Sequence, residues 1–340
     1  MTPPSTAPLR AAAPLPALPS PDRWHRPLVG LAVTMAALTV ATAVLAIVDP
    51  REILGQNAWF KPLKFALSIG IYAVTLAWLI GRTQRFRRTA DTLGTATAVA
   101  LLVEIAVIAG AAAAGTTSHF NIATPLNATL WATMGASIIV VWVATLVVGI
   151  AVALDPGPDA ARNLAVRAGV VLGLVGMGLA FLMTTPNADQ IDDFQGIAGA
   201  HAVGVADGGP GLPFLGWSTE GGDLRIPHFF GLHALQAIPL GLLALELLAR
   251  GIAPLRDSRV RSRLVLVGAL AFAATIGILT WQALAGESIV RPSAPTLAAG
   301  AATVVGTLVA AGAVLVTGTR SAGPGSPRRT PTRPRGPRPG

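Results

Sequence analysis

Two lysines stand close together in the run Trp59-Phe60-Lys61-Pro62-Leu63-Lys64, with Ser68 and Tyr72 further along the same segment. At 100° per helical residue, Ser68 and Tyr72 fall within about 20° of Lys61, and Lys64 lies about 60° to one side. One helix face therefore carries all four. Lys61 and Lys64 are the only lysines of a chain that otherwise uses arginine, and Tyr72 is its only tyrosine. An ammonium is a compact charge that adjusts its protonation when buried, whereas a guanidinium does not. Two lysines kept in so Arg-biased a chain point to a small polar or anionic ligand. The plain alternative is that both merely snorkel at a helix end.

A second cluster lies in Arg225-Ile226-Pro227-His228-Phe229-Phe230-Gly231-Leu232-His233-Ala234-Leu235-Gln236. His228 and His233 stand about 140° apart on a regular helix, so they cannot share one metal there. Their spacing also departs from the i,i+4 histidine pair of helical zinc sites, and no metal site is expected. His233 and Gln236 do share a face. Glu104 sits inside Ala100-Leu101-Leu102-Val103-Glu104-Ile105-Ala106-Val107. A carboxylate at that depth in a membrane costs several kcal/mol unless paired or protonated, and by default it marks function. Tyr72, at similar depth, is its expected hydrogen-bond partner. His119 falls in the loop Thr116-Thr117-Ser118-His119-Phe120-Asn121, while Trp281, Gln282 and Glu287 close another span; Glu246 is expected to pair with Arg250 four residues on. By depth these residues form a ladder: Arg225, His228, Lys61 and His119 at the rim, then Lys64 and His233, then Gln236 and Ser68, with Glu104 and Tyr72 near the midplane.

The elements that hold this ladder follow from composition. The 340 residues are 52% hydrophobic but only 12% charged, with a mean hydropathy of +0.62. A soluble domain carries about twice that charge. Without cysteine, thiolate chemistry, Cys-ligated metals and disulfides are excluded. Stretches long enough for a hydrocarbon core of about 30 Å occur near 28–48, 62–81, 93–114, 127–154, 165–184, 228–249, 264–285 and 296–317. In lipid such segments must be helices, so the expected fold is an all-α polytopic bundle of about eight spans. The third and eighth spans are so rich in Ala and Gly that they are expected inside the bundle.

Residues 1–27 and the basic segment 319–340 read as disordered Pro-rich tails around a transmembrane domain at 28–318. The first apolar stretch is long enough to be a retained helix rather than a signal peptide. All of the 25 Lys and Arg except Arg51, Lys61, Lys64, Arg225 and Arg291 fall on one side of this topology. The positive-inside rule then makes both termini cytoplasmic and places the acidic segment 185–227 outside a bacterial cell membrane. Trp59, Trp131 and Trp281 would then mark the outer interface and Trp78 the inner one. The net charge of +9 serves anionic lipid headgroups better than nucleic acid, because no soluble basic face exists.

The runs Trp59-Phe60-Lys61-Pro62-Leu63-Lys64-Phe65 and His228-Phe229-Phe230-Gly231-Leu232-His233-Ala234-Leu235-Gln236 resemble motifs of an uncharacterised family of bacterial multi-pass membrane proteins. The resemblance covers two helix starts and implies no activity. Three function classes are compatible with the ladder. The first, favoured by the cationic rim, is a protein that binds or transports a small polar or anionic solute through an outward-facing pocket. The second is a redox protein with His233 and His119 as ligands to haem b or a metal. The third is an intramembrane enzyme acting on lipid-linked substrate, with Glu104 or His233 as general base. Spacing alone decides neither cofactor nor oligomeric state.

Overall fold

Apolar helices that satisfy their own backbone dominate the chain, as a bilayer requires. A computed structural model describes residues 21–321. The remaining parts of the expected tails, 1–20 and 322–340, lie outside the described residues. Structure starts before residue 28: Pro21–Arg23 form a 3-10 turn, and the ring of the buried His25 caps the first helix by accepting from the Leu28 N–H. The His25 Nε2 lies 2.9 Å from the Asp91 carbonyl. Composition alone does not reveal such a cap in a Pro-rich segment.

The long helices are α1 (Arg26–Val48), α2 (Phe60–Arg82), α3 (Arg87–Ala113), α4 (Pro125–Leu154) and α5 (Ala160–Gly178), the last extended by a 3-10 turn over Leu179–Met183. After the short α6 (Ala188–Asp192) come α7 (Arg225–Leu232), α8 (Ala234–Leu248), α9 (Ser258–Leu284) and α10 (Ala294–Ser321). Among the described residues seven helices are long and apolar enough to cross a membrane, or eight where the bent pair α7–α8 is counted as one span. This is a multi-pass membrane protein. Threonine hydroxyls such as those of Thr39 and Thr75 return to carbonyls one turn earlier, Met35 and Ile71, whereas the buried Thr97 hydroxyl on α3 has no partner among the described residues.

Helices α1 to α4 pack in sequence, and α5 joins them to α7, α8 and α9. The Ala/Gly-rich α3 is interior on the face it turns to α2 and α4, while Val99 and Leu102 on it stay exposed. The equally small-residued α10 is not interior: it packs on α9 and the 253–256 turn, and no residue of its apolar window is buried. Small side chains permit close packing but do not supply a partner, and α10 is the last span, reached only through the short connection after α9.

The α7–α8 break bends the chain by 46° at His233. Pro239 leaves the Leu235 carbonyl without its helical donor and crowds it, which favours a bend in the preceding turn. Glycines on α5 hold the broken segment close. A Cβ at Gly176 would collide with the backbone of Gly231 and Leu232, and one at Gly173 would crowd Leu235.

The end of the bundle with the connections 49–59, 114–124, 184–224 and 285–293 is the loop end. There β1 (Glu52–Ile53) and β2 (Gln56–Asn57) form a hairpin, and β3 (Ala202–Val203) pairs antiparallel with β4 (Gly222–Asp223). Single bridges join Asn121 to Ile197 and Gly211 to Ser218. The opposite end is arginine-rich and tied by ion pairs. Glu246 pairs with Arg162 at 2.8 Å rather than with Arg250, because α5 and α8 pack side by side and bring the guanidinium across. Arg261 reaches Asp159, the N-cap of α5, at 3.0 Å.

Candidate functional site

Between α2, α3, α4, α5 and α7, under the connections of the loop end, lies a cavity of about 950 Å³. Lys61, Lys64, Ser68, Tyr72, Glu104, His119, Arg225, His228 and His233 all line it. Gln236 does not: its side chain reaches Thr75 at 3.2 Å and His233 at 3.4 Å and faces a separate cavity on the other half of the molecule. Most of the remaining exposed cavity wall is apolar, with Ile69, Leu101, Ile108, Met134 and Trp131 among its residues.

Each polar group is set by its element. Glu104 is 2% exposed; its Oε1 lies 3.9 Å from His119 Nε2, and its Oε2 has no hydrogen-bond partner. The expected bond to Tyr72 is absent, since Tyr72 instead meets Thr145 on α4 at 2.6 Å. His119 is not a rim residue. The 114–124 connection folds back into the bundle and seats the imidazole against Phe65, Phe120 and Trp131, so a loop residue meets a mid-helix carboxylate. Trp131 therefore faces the cavity rather than forming part of an interfacial belt. Burial, then the neighbouring Lys61 charge, His201 and His228, push the His119 imidazole well below the usual histidine range. It is neutral at neutral pH.

Lys64 donates to the Leu215 carbonyl at 2.7 Å, with the Phe214 ring centre 5.8 Å away. Arg225 forms a forked pair with the fully buried Asp223 and donates to the Gly216 carbonyl at 2.5 Å. His228 Nδ1 lies 2.8 Å from the Gly176 carbonyl, which places the proton on Nδ1 and leaves Nε2 as an acceptor. Lys61 lines the cavity with no hydrogen bond or ion pair among the described residues.

The 184–224 connection adds groups that sequence reasoning missed. His201 Nδ1 lies 2.7 Å from Asp207, which also accepts the backbone N–H of His201 and Ala202, and both side chains line the cavity. Burial alone would raise the Asp207 carboxyl, but these hydrogen bonds hold it down at about 2. Burial pushes His201 below its usual range despite that carboxylate. Together with Gly208, Leu215, Gly216 and Trp217, these residues roof the cavity, while Asp189, Asp192 and Asp193 of the same segment stay exposed. The one available signal was a loop histidine six residues before an aspartate. Comparison with known protein families, with characterised proteins and with solved structures finds no match.

Two further sequence candidates serve local structure. Gln282 donates to the Ser288 carbonyl, and Glu287 accepts from Ser293 and Thr296 to start α10. Among the described residues no group of three or more His, Asp or Glu side chains is placed to hold a metal ion. The arrangement instead offers a cationic donor, neutral imidazoles and one free carboxyl oxygen in apolar surroundings.

Proposed function

We propose that the protein binds a small anionic solute in the roofed cavity, with the loop end facing out of the cell. The observation that carries this reading is Lys61. Its ammonium lines a largely apolar cavity and makes no ion pair or hydrogen bond among the described residues, although Arg225 beside it is already matched by Asp223. An uncompensated charge in such surroundings is costly, and a ligand anion relieves it. The free Oε2 of Glu104 adds an acceptor, so a ligand with an anionic group and a hydrogen-bond donor fits both. Beyond Tyr72, Leu76, Ala77, Leu79 and Ile80 are buried on one face of α2. This supports a one-sided binding pocket, and passage across the membrane would need a second arrangement of the helices.

Thermal unfolding of the purified protein in a series of phosphate, sulfate and short carboxylates tests the proposal. A specific anion at 100 times its Kd stabilises by about 2.7 kcal/mol. Lys61→Gln is expected to abolish that shift while leaving the ligand-free protein at least as stable. No shift with any anion, or an equal shift in Lys61→Gln, would defeat the reading.

A further inference from the structure

A second cavity of about 700 Å³ lies on the arginine-rich half, between α1, α2, α5 and α8. It is a lateral groove: Ile71, Val74 and Leu240 along it are exposed, in positions that face lipid in a bilayer. On α2 it runs from Leu67 to Arg82, which at 1.5 Å per residue is about 22 Å. That exceeds the roughly 15 Å of hydrocarbon in one leaflet. At its far end the Arg82 guanidinium lies over the Trp78 ring, 5.3 Å from its centre. Arg82 has no ion pair or hydrogen bond among the described residues. Its Nε and the Trp78 Nε1 are both buried and lack an acceptor. The neighbouring cation cannot explain this by sharing a carboxylate, because Glu246 is taken up by both nitrogens of the Arg162 fork.

We propose that this groove holds an anionic phospholipid of the surrounding bilayer. Its phosphate oxygens accept from Arg82 and the Trp78 indole, and an acyl chain lies along α2 and α8. Three features select a lipid over a soluble anion: the lateral opening, the apolar walls and a length sufficient for an acyl chain. The position fits as well, since Arg82 is the last residue of α2, at headgroup depth. The groove shares only Leu67 and Ile71 with the Lys61 cavity and none of its polar groups, so either site can fail without the other.

The full chain, purified in detergent, is given dioleoyl phosphatidylglycerol, dioleoylglycerol or glycerol phosphate, and retention is read by native mass spectrometry alongside thermal unfolding. Only the intact phospholipid is expected to bind and stabilise. Arg82→Gln with Trp78→Phe should weaken retention about tenfold or more, Arg82→Lys should keep part of it, and Lys61→Gln should keep all of it. Equal binding of dioleoylglycerol would mean an apolar groove without headgroup recognition, and equal binding of glycerol phosphate a soluble-anion site; either overturns the proposal. So does wild-type retention by the double variant. Should that variant not fold, the three-ligand comparison on the wild type decides alone.

Discussion

Lys64 is engaged with the roof, not spread toward water, because its ammonium is fixed by the Leu215 carbonyl beside Phe214. Lys64→Arg keeps the charge but brings a larger planar fork with different hydrogen-bond directions. It is expected to displace residues 214–216 and weaken anion-dependent stabilisation, whereas Lys64→Gln in a merely snorkelling residue would matter as little as Lys64→Arg. Wild-type ligand shifts in Lys64→Arg would return the residue to that simpler role. The roof imidazoles predict a pH dependence of the opposite sign to that of a salt-bridged histidine. His119 and His201 are held below their ordinary value of 6.5 by burial, so below that pH the unfolded chain takes up protons that the folded one refuses. Stability should therefore be full above about pH 6.5 and fall beneath it. Asp207 adds a loss only as pH drops from 3.8 towards about 2. In a pH series of melting temperatures, His119→Asn should decline less than wild type between neutral pH and the carboxylate range. Parallel curves would place the acid sensitivity outside His119.

At the scale of elements, the contact between α5 and α7 is made of backbone. Gly176→Ala would drive a methyl group into the Gly231–Leu232 peptide, and overpacking of this kind costs about 1–3 kcal/mol. Gly268→Ala on α9 meets nothing within 4 Å and should be neutral or gain up to about 1 kcal/mol from helix propensity. Melting temperatures of the two variants should thus move in opposite senses; similar values would show that the α5–α7 crossing tolerates separation. These elements were legible to different degrees. Span positions and the α2 face of Lys61, Ser68 and Tyr72 follow from hydropathy and the helical period. The bend at His233 was not read, although Pro239 and Gly231 were in view, because a proline in a transmembrane helix bends it only where a neighbour accepts the bend. That neighbour is the glycine face of α5, distant in sequence.

For the whole molecule, the cation distribution is uneven: among the described residues the loop end keeps only Arg51, Lys61, Lys64, Arg225 and Arg291 of the Lys and Arg. The positive-inside rule then predicts that 184–224 is extracytoplasmic. Because the chain has no cysteine, single cysteines at the exposed Asp193 and Gln84 report the two ends cleanly. An impermeant maleimide should label Asp193→Cys in intact cells and leave Gln84→Cys unlabelled until lysis; the reverse pattern would invert the topology. The sequence showed the polar ladder but not its closure. Periodicity orders residues along helices, whereas His119 reaches Glu104, and His201 reaches Asp207, through irregular loops whose paths no period encodes. The Arg162–Glu246 pair was hidden for another reason: it joins α5 to α8, and the period of one helix does not reveal which helix packs beside it.

The tie between Lys64 and Leu215, with that between Arg225 and Gly216, has a consequence in time. Both donors hold the roof shut through charge-assisted hydrogen bonds, which are about twice as strong as neutral ones. Under the proposed function, segment 215–217 is expected to lift before a solute reaches Lys61 from the loop side, and the opening rate rather than diffusion would then limit association. Observed on-rates should plateau as solute concentration rises, and bound solute should persist far longer than its affinity alone implies.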